Sequence, residues 1–402
     1  MHSGQQITGN NILGYHYEAL HISPNEFILS YNQKYYKIGE SIYQILKAGS
    51  VAHNMDEMHR MINDVLPISR PDLEEIIDAK ILPVFRAAEN PVADRSSGFW
   101  VKRQILTADQ ITALTTPLRW LFGKIFYPLF FFICFVNVWM YRQSPADTSG
   151  AFLPDNEVAT WFISYAALFV IIFLHELGHA AAAVKSGIRA RNIGLGFYTV
   201  LPVMYTDLTD TWKLGKYDKV KINMGGIFMQ LIVNLLLMAL IKIRPQDAVT
   251  AMSWKIYVVN NFIIIMNLVP FMKFDGYWVV SDLTGIPNMV KESNRLLIDA
   301  VTRKGPFPEE DQLTLHYAQK IFLYIYTVLR VLFIGSVIFS AFAFIYYSVC
   351  KTILLIKYLP YLELNFTVVV ELLKRIATIV IIFLFTRKYR KMFFRFILKK
   401  AK

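Results

Sequence analysis

Residues 158–184 read VATWFISYAALFVIIFLHELGHAAAAV, and near the end of that run stand His175-Glu176-Leu177-Gly178-His179. The run is long and apolar enough for a membrane-spanning helix, which needs about 20 such residues. On a helix, positions i and i+4 share a face, so His175 and His179 can offer two imidazole nitrogens to one zinc ion. Glu176 falls on the adjoining face, where it can take a proton from water at that metal. A helical histidine is more often a packed or surface residue than a ligand. That reading weakens here, because an ionisable group at mid-bilayer costs roughly 2.5–3.5 kcal/mol even on the lenient scale. Three such groups within five positions need a shared partner.

The chain around this run has 402 residues, 55% hydrophobic and 15% aromatic, with positive mean hydropathy. That is too apolar for one soluble domain and fits a polytopic α-helical membrane protein. Cys134 and Cys350 both lie in apolar runs and supply neither a disulfide framework nor a Cys-x-x-Cys metal site. The first hundred residues hold no long apolar stretch, so no cleavable signal peptide is expected. They carry 8 lysines and arginines against 12 acids, whereas the remainder carries 34 against 18. The overall charge of +12 thus belongs to the membrane part, where basic cytoplasmic flanks are expected, and calls for no nucleic-acid partner.

Residues 1–89 read as a small α+β domain. β-prone runs stand at Tyr17–Ile22, Phe27–Tyr31 and Tyr35–Ile38, the last two joined by a turn at Asn32-Gln33-Lys34. Helical patterns follow at Ile42–Ala48, capped by Ser41, at Asp56–Val65, and at Asp72–Phe85 after Ser69-Arg70-Pro71. Three strands then three helices, with Tyr35-Tyr36-Lys37-Ile38-Gly39 at the junction, resembles the winged-helix-like leader-recognition domains of ribosomal-peptide maturation. The resemblance implies that a peptide adds as a strand to the sheet edge. A structural cap is the plainer alternative. A DNA-reading winged helix is disfavoured by the acidic balance.

Residues 90–117 read as a polar connector. About six spans are then expected: Leu118–Tyr141, Val158–Val184, Ile222–Ile241, Met252–Phe271, one within Ile321–Val349, and Phe366–Phe385. The sixth contains Glu371, Lys374 and Arg375, which must face a bundle interior or leave the segment interfacial. The organisation is a core at 118–285, a cytoplasmic connection at 286–320, membrane helices at 321–386 and a basic tail at 387–402. Seven basic residues between spans 2 and 3, and eight in the tail without an acid, place both termini in the cytoplasm. His175 and His179 then lie toward the cytoplasmic end of span 2.

A catalytic zinc usually keeps three protein ligands, so one more must come from elsewhere. His2, His16, His21, His53 and His59 belong to the N-terminal domain and His316 to a connection. Among acids near span ends, Asp275 stands out, in Asn267-Leu268-Val269-Pro270-Phe271-Met272-Lys273-Phe274-Asp275-Gly276. Pro270 interrupts the helix, which is tolerated at membrane depth where backbone is buried or lines a wet cavity. Gly276 allows close backbone approach.

H-E-x-x-H in one span, with N-x-x-P-x-x-x-x-D-G at the end of another, resembles the paired signature of the site-2 protease family of intramembrane zinc metalloproteases. The resemblance covers spans 2–4. It implies Zn2+ as cofactor, His175, His179 and Asp275 as its ligands, Glu176 as catalytic base, and Asn267 as a substrate-binding residue. Leu201–Trp212 and Asp275–Leu283, with Ile286-Pro287-Asn288, are similar to the bacterial peptide zinc metalloproteases found with peptide-maturation and export systems. Gly194–Met204 is β-prone and reads as a hairpin near the site, with an edge for an extended substrate. Asp207, Asp210 and Trp212 read as residues that cap and anchor an interfacial loop. One departure falls on span 3, where the family often has Gly-Pro followed by Asn. This chain has Gly225-Gly226-Ile227-Phe228-Met229-Gln230, with Asn234 a turn later.

The expectation is a multi-pass protein of a bacterial inner or plasma membrane that hydrolyses a membrane-associated or small precursor peptide, in peptide maturation or export. Its partners are that peptide, the lipid bilayer and maturation or export proteins. A regulatory site-2 protease acting on a membrane-tethered transcription or anti-sigma factor shares the chemistry. A non-proteolytic export or immunity subunit keeps zinc for structure alone.

Overall fold

The computed structural model describes residues 6–9, 14–23, 26–32, 34–89, 99–143, 157–198, 201–243, 248–302 and 315–358, with Leu372 and Ile376. The chain divides into two compact units, residues 1–287 and 288–402. In the first unit, an antiparallel sheet runs β1 (Gln6–Gly9), β2 (Tyr17–Ser23), β3 (Glu26–Tyr31), β4 (Lys34–Ile38) in that order. The three expected strands are present, and β1 adds a fourth at the edge of β2. Asn32 takes the left-handed turn between β3 and β4 at φ 48°.

Helices α1 (Glu40–Gly49), α2 (Met55–Asn63), α3 (Arg70–Ile76) and α4 (Leu82–Glu89) pack on this sheet. Tyr17, Leu29, Ile45, Met58, Leu73 and Phe85 make the buried centre. Ser41 is not the cap of α1; Gly39 precedes the helix in extended conformation and Ser41 sits inside the first turn. Asn54 caps α2, accepting from the backbone N–H of Glu57 at 2.8 Å, and Ser69 caps α3. A π-helical turn at Ile77–Ile81 joins α3 to α4 just before Pro83. Proline supplies no N–H to the ladder, and the wider turn absorbs the mismatch.

The stretch expected to be a mere connector is structured instead. β5 (Phe99–Thr107) pairs antiparallel with β6 (Asn192–Tyr198), which pairs with β7 (Leu201–Thr206) as the expected hairpin. Residues 102–107 had no visible partner in sequence, because theirs lies about 90 positions away. α5 (Ala108–Thr115) follows, with Thr107 and Gln110 forming a capping box.

The first expected span is not one straight helix. A 3-10 turn over Thr116–Phe122 ends at Gly123, and α6 (Phe126–Arg142) begins after a bend of 84°. Pro117 at the start and Gly123 at the break punctuate what hydropathy alone runs together. The stretches of the next three expected spans are helical, as α7 (Glu157–Lys185), α8 (Lys216–Ile243) and α9 (Ala248–Leu268). α7 and α8 cross at Gly178 and Gly225, where a methyl on either would collide with the other's backbone carbonyl. α10 (Asp275–Thr284) follows the break at Pro270.

The second unit holds α11 (Met289–Thr302) and α12 (Tyr317–Tyr358), tied by Arg330 to Ser293 Oγ at 3.1 Å and Asn294 Oδ1 at 2.7 Å. Among the described residues, four helices are long and apolar enough to cross a membrane, or five counting the bent pair. The expected span at 366–385 lies outside the described residues, apart from Leu372 and Ile376.

Candidate metal centre

α7 delivers His175 and His179 one turn apart, and α10 delivers Asp275 in its first turn, so residues a hundred positions apart meet. His175 Nε2 and His179 Nε2 lie 3.0 Å apart. Asp275 Oδ2 is 3.1 Å from the first and 3.5 Å from the second. One ligand atom from each residue falls within 4.8 Å of the others.

The far side of each ring decides what faces the centre. His179 Nδ1 lies 2.7 Å from the carbonyl oxygen of Ile222, which only accepts, so this nitrogen carries the hydrogen. His175 Nδ1 lies 2.9 Å from Gln230 Oε1, likewise an acceptor. Both Nε2 atoms of neutral rings therefore present lone pairs. Asp275 Oδ2 beside them is buried without a hydrogen-bond partner, because neither facing nitrogen has a hydrogen to give. Three electron-pair donors aimed at one point are reconciled by a shared cation. Two imidazoles and a carboxylate form a donor set that suits zinc.

Backbone makes room for this cluster. A Cβ on Gly226 of α8 would stand 2.5 Å from His175 Cε1 and His179 Nε2, so only glycine lets the helix lie against both rings. At Gly276, a Cβ would run into the carbonyl of Leu268 and meet that of Asn267 at 2.9 Å, which bears out the expected close approach. Asn267 itself lies in the last turn of α9 and comes to Gly276 through that carbonyl.

Glu176 is buried to 8% exposure, next to the first histidine. Thr206, the last residue of β7, donates its hydroxyl to Glu176 Oε2 at 2.6 Å. The hairpin thus ends on the carboxylate. Asp207 caps the following turn, accepting from Thr209 N–H at 3.1 Å, as its sequence position suggested. Asp210 does more than anchor a loop. Its Oδ1 accepts from Arg191 at 2.7 Å and from the Tyr35 hydroxyl at 2.7 Å, tying β4 of the N-terminal domain to the core. Burial raises the Asp210 carboxyl, but the Arg191 guanidinium and Tyr35 hydroxyl outweigh it and hold the group below its ordinary value. Glu18–Lys213 at 3.1 Å and Glu26–Lys219 at 3.4 Å strengthen the same contact. Burial pushes Asp282 of α10 up to about 6, partly offset by Lys219, and Asn223 donates to it at 3.1 Å.

Residues 163–246, which carry the two histidines and α8, match the model described as Peptidase family M50. This match supports the site-2 protease resemblance carried by His175-Glu176-Leu177-Gly178-His179, while the motif at 267–276 lies beyond the matched stretch. The chain is also similar to the "Putative peptide zinc metalloprotease protein YydH" of Bacillus subtilis (strain 168), 27% identical over 123 residues. That alignment covers 30% of this chain and 47% of the relative, so it spans about half the relative's length. No solved structure matches the chain.

Thr206, Gly226 and Gln230 escaped assignment from sequence. Gln230 was visible as a departure from the family pattern, and a carboxamide inside an apolar span signals a partner. Asn234 does not touch the cluster; it bonds Asn260 and Asn261 a turn away.

Proposed function

We propose that this chain is a zinc-dependent endopeptidase acting on a membrane-associated or small precursor peptide, in peptide maturation or export. The observation that carries the reading is the convergence of His175 Nε2, His179 Nε2 and Asp275 Oδ2 as three acceptors with no donor among them. These residues would hold the metal, whose chemistry would be to polarise the scissile carbonyl and acidify water at the site. Glu176 takes the proton of the attacking water at its carboxylate and returns it to the departing amine. Thr206 keeps Oε2 oriented for that exchange. Asn267 helps hold the substrate.

β7 is the outer strand of its sheet and ends at Glu176. A substrate added along that edge is held extended, with its carbonyls released from helical bonds. β4 is likewise an edge strand, and it takes the precursor's leader in the same manner. Tyr35 on β4 reaches Asp210, four residues past Thr206, so the docked leader lies beside the catalytic strand. The basic flanks support a topology with both termini on the cytoplasmic side of the membrane.

The test is Glu176→Gln. Zinc content is expected to stay at one per chain while peptide hydrolysis falls by about 10²–10⁴-fold, the usual worth of a general base. Unimpaired hydrolysis would remove Glu176 from the role of base, and full function in cells without hydrolysis would leave a structural metal in an export subunit. Removing residues 1–95 is expected to slow cleavage of a leader-bearing precursor far more than that of a short unrelated peptide. Equal slowing would reduce the N-terminal domain to a cap.

A further inference from the structure

Behind His175, the apolar helices α8 and α9 carry four carboxamides: Gln230, Asn234, Asn260 and Asn261. The first three have no exposed surface. An amide side chain can present either its oxygen or its NH2, and the choice must come from its partners. Here the choice is forced from the far end. The carbonyl of Tyr257 only accepts, so Asn261 turns Nδ2 toward it at 2.8 Å. Asn261 Oδ1 is then left to accept from Asn234 Nδ2 at 3.1 Å. Asn234 Oδ1 accepts from Asn260 Nδ2 at 2.8 Å, and that NH2 also meets the backbone carbonyl of Gln230 at 3.2 Å. Asn260 Oδ1 accepts from Gln230 Nε2 at 2.8 Å. Gln230 is thereby obliged to show Oε1 to His175 Nδ1, at 2.9 Å.

Reversing any link sets oxygen against oxygen, or NH2 against NH2, in a medium without water to relieve it. His179 needs no such relay, because its Nδ1 faces a backbone carbonyl that cannot flip. We propose that Gln230 is a positioning residue for the metal centre. Asn260, Asn234 and Asn261 are the relay that fixes its amide, so that His175 keeps hydrogen on Nδ1 and its Nε2 lone pair for the metal. Partners of this kind typically change metal affinity by about 10–100-fold. The inference rests on the metal-centre reading above.

The experiment uses the full chain in detergent, stripped of metal. It measures Zn2+ affinity by competition with a chromophoric chelator, the visible spectrum with Co2+, and melting of the metal-free protein. Gln230→Met is expected to bind zinc about 10–100-fold more weakly, with an altered Co2+ spectrum, and to melt somewhat lower without metal because His175 and Asn260 lose a buried partner. Wild-type affinity and spectrum in Gln230→Met would overturn the proposal. Should Gln230→Met fail to fold, Asn260 decides. Asn260→Leu, which leaves Gln230 Nε2 without its acceptor, must then weaken zinc binding; wild-type affinity overturns the relay. A wild-type chain that takes up no zinc would instead sink the metal-centre reading itself.

Discussion

The N-terminal domain and the helical core both have apolar centres, but only the second also gathers polar side chains inside and apolar ones outside. In the first, Leu29 and Ile45 are buried while Arg70, Asp56 and Glu74 pair at the surface. In the second, Gln230, Asn234, Asn260 and the two histidines are buried, while Phe131 is 68% exposed. Water drives apolar groups inward in the one case. A hydrocarbon surround removes that drive in the other and makes unsatisfied polar groups the costly ones. The difference shows why the Glu176 carboxylate and the two imidazoles can gather where they do: in an apolar surround the bundle interior is the place that satisfies them.

The largest break in this comparison is expected from Gly226→Val, which puts a branched side chain where both imidazoles lie. Zinc content measured by atomic emission should fall close to zero, and hydrolysis with it, while the N-terminal domain stays folded. Retained zinc would mean that α8 does not press on the rings. Next comes Leu29→Ala, a cavity in the water-facing domain, expected to cost about 2–5 kcal/mol in chemical denaturation followed through that domain. A loss well under 1 kcal/mol would remove Leu29 from the core.

Asp210→Asn probes the seam between the regions and should cost about 1–2 kcal/mol, since one carboxylate serves both Arg191 and Tyr35. Faster hydrogen exchange along β4 would report it. Because the Asp210 carboxyl is held below its ordinary value, its contribution is complete above about pH 3.9 and is lost as pH falls through the lower folded value. The wild type should therefore approach the variant's exchange rates in acid, and a difference that persisted there would discount the ion pair. The smallest effect is expected from Phe131→Leu on the exposed face of α6, within about 0.5 kcal/mol in detergent melting. A larger loss would mean that this face packs against protein.

Much of the architecture was legible in order along the chain. Hydropathy marked α7, α8 and α9, because a spanning run is a property of consecutive residues. β-prone runs marked β2, β3, β4 and the β6–β7 hairpin. Hydropathy misjudged the segment before α6, where it averages over the bend at Gly123 that backbone geometry imposes. It also missed β5, since a strand pairing across 90 positions leaves no local trace.

The pairing of His175 with His179 was decided by sequence alone, because spacing by four on a helix is geometry that a string of letters contains. Placing Asp275 between them, Thr206 on Glu176 and Gln230 behind His175 was the work of tertiary structure. Those contacts join different helices and a strand, and residue types along one segment carry no coordinate for another. Which way each buried amide faces was decided last of all, by carbonyls that can only accept.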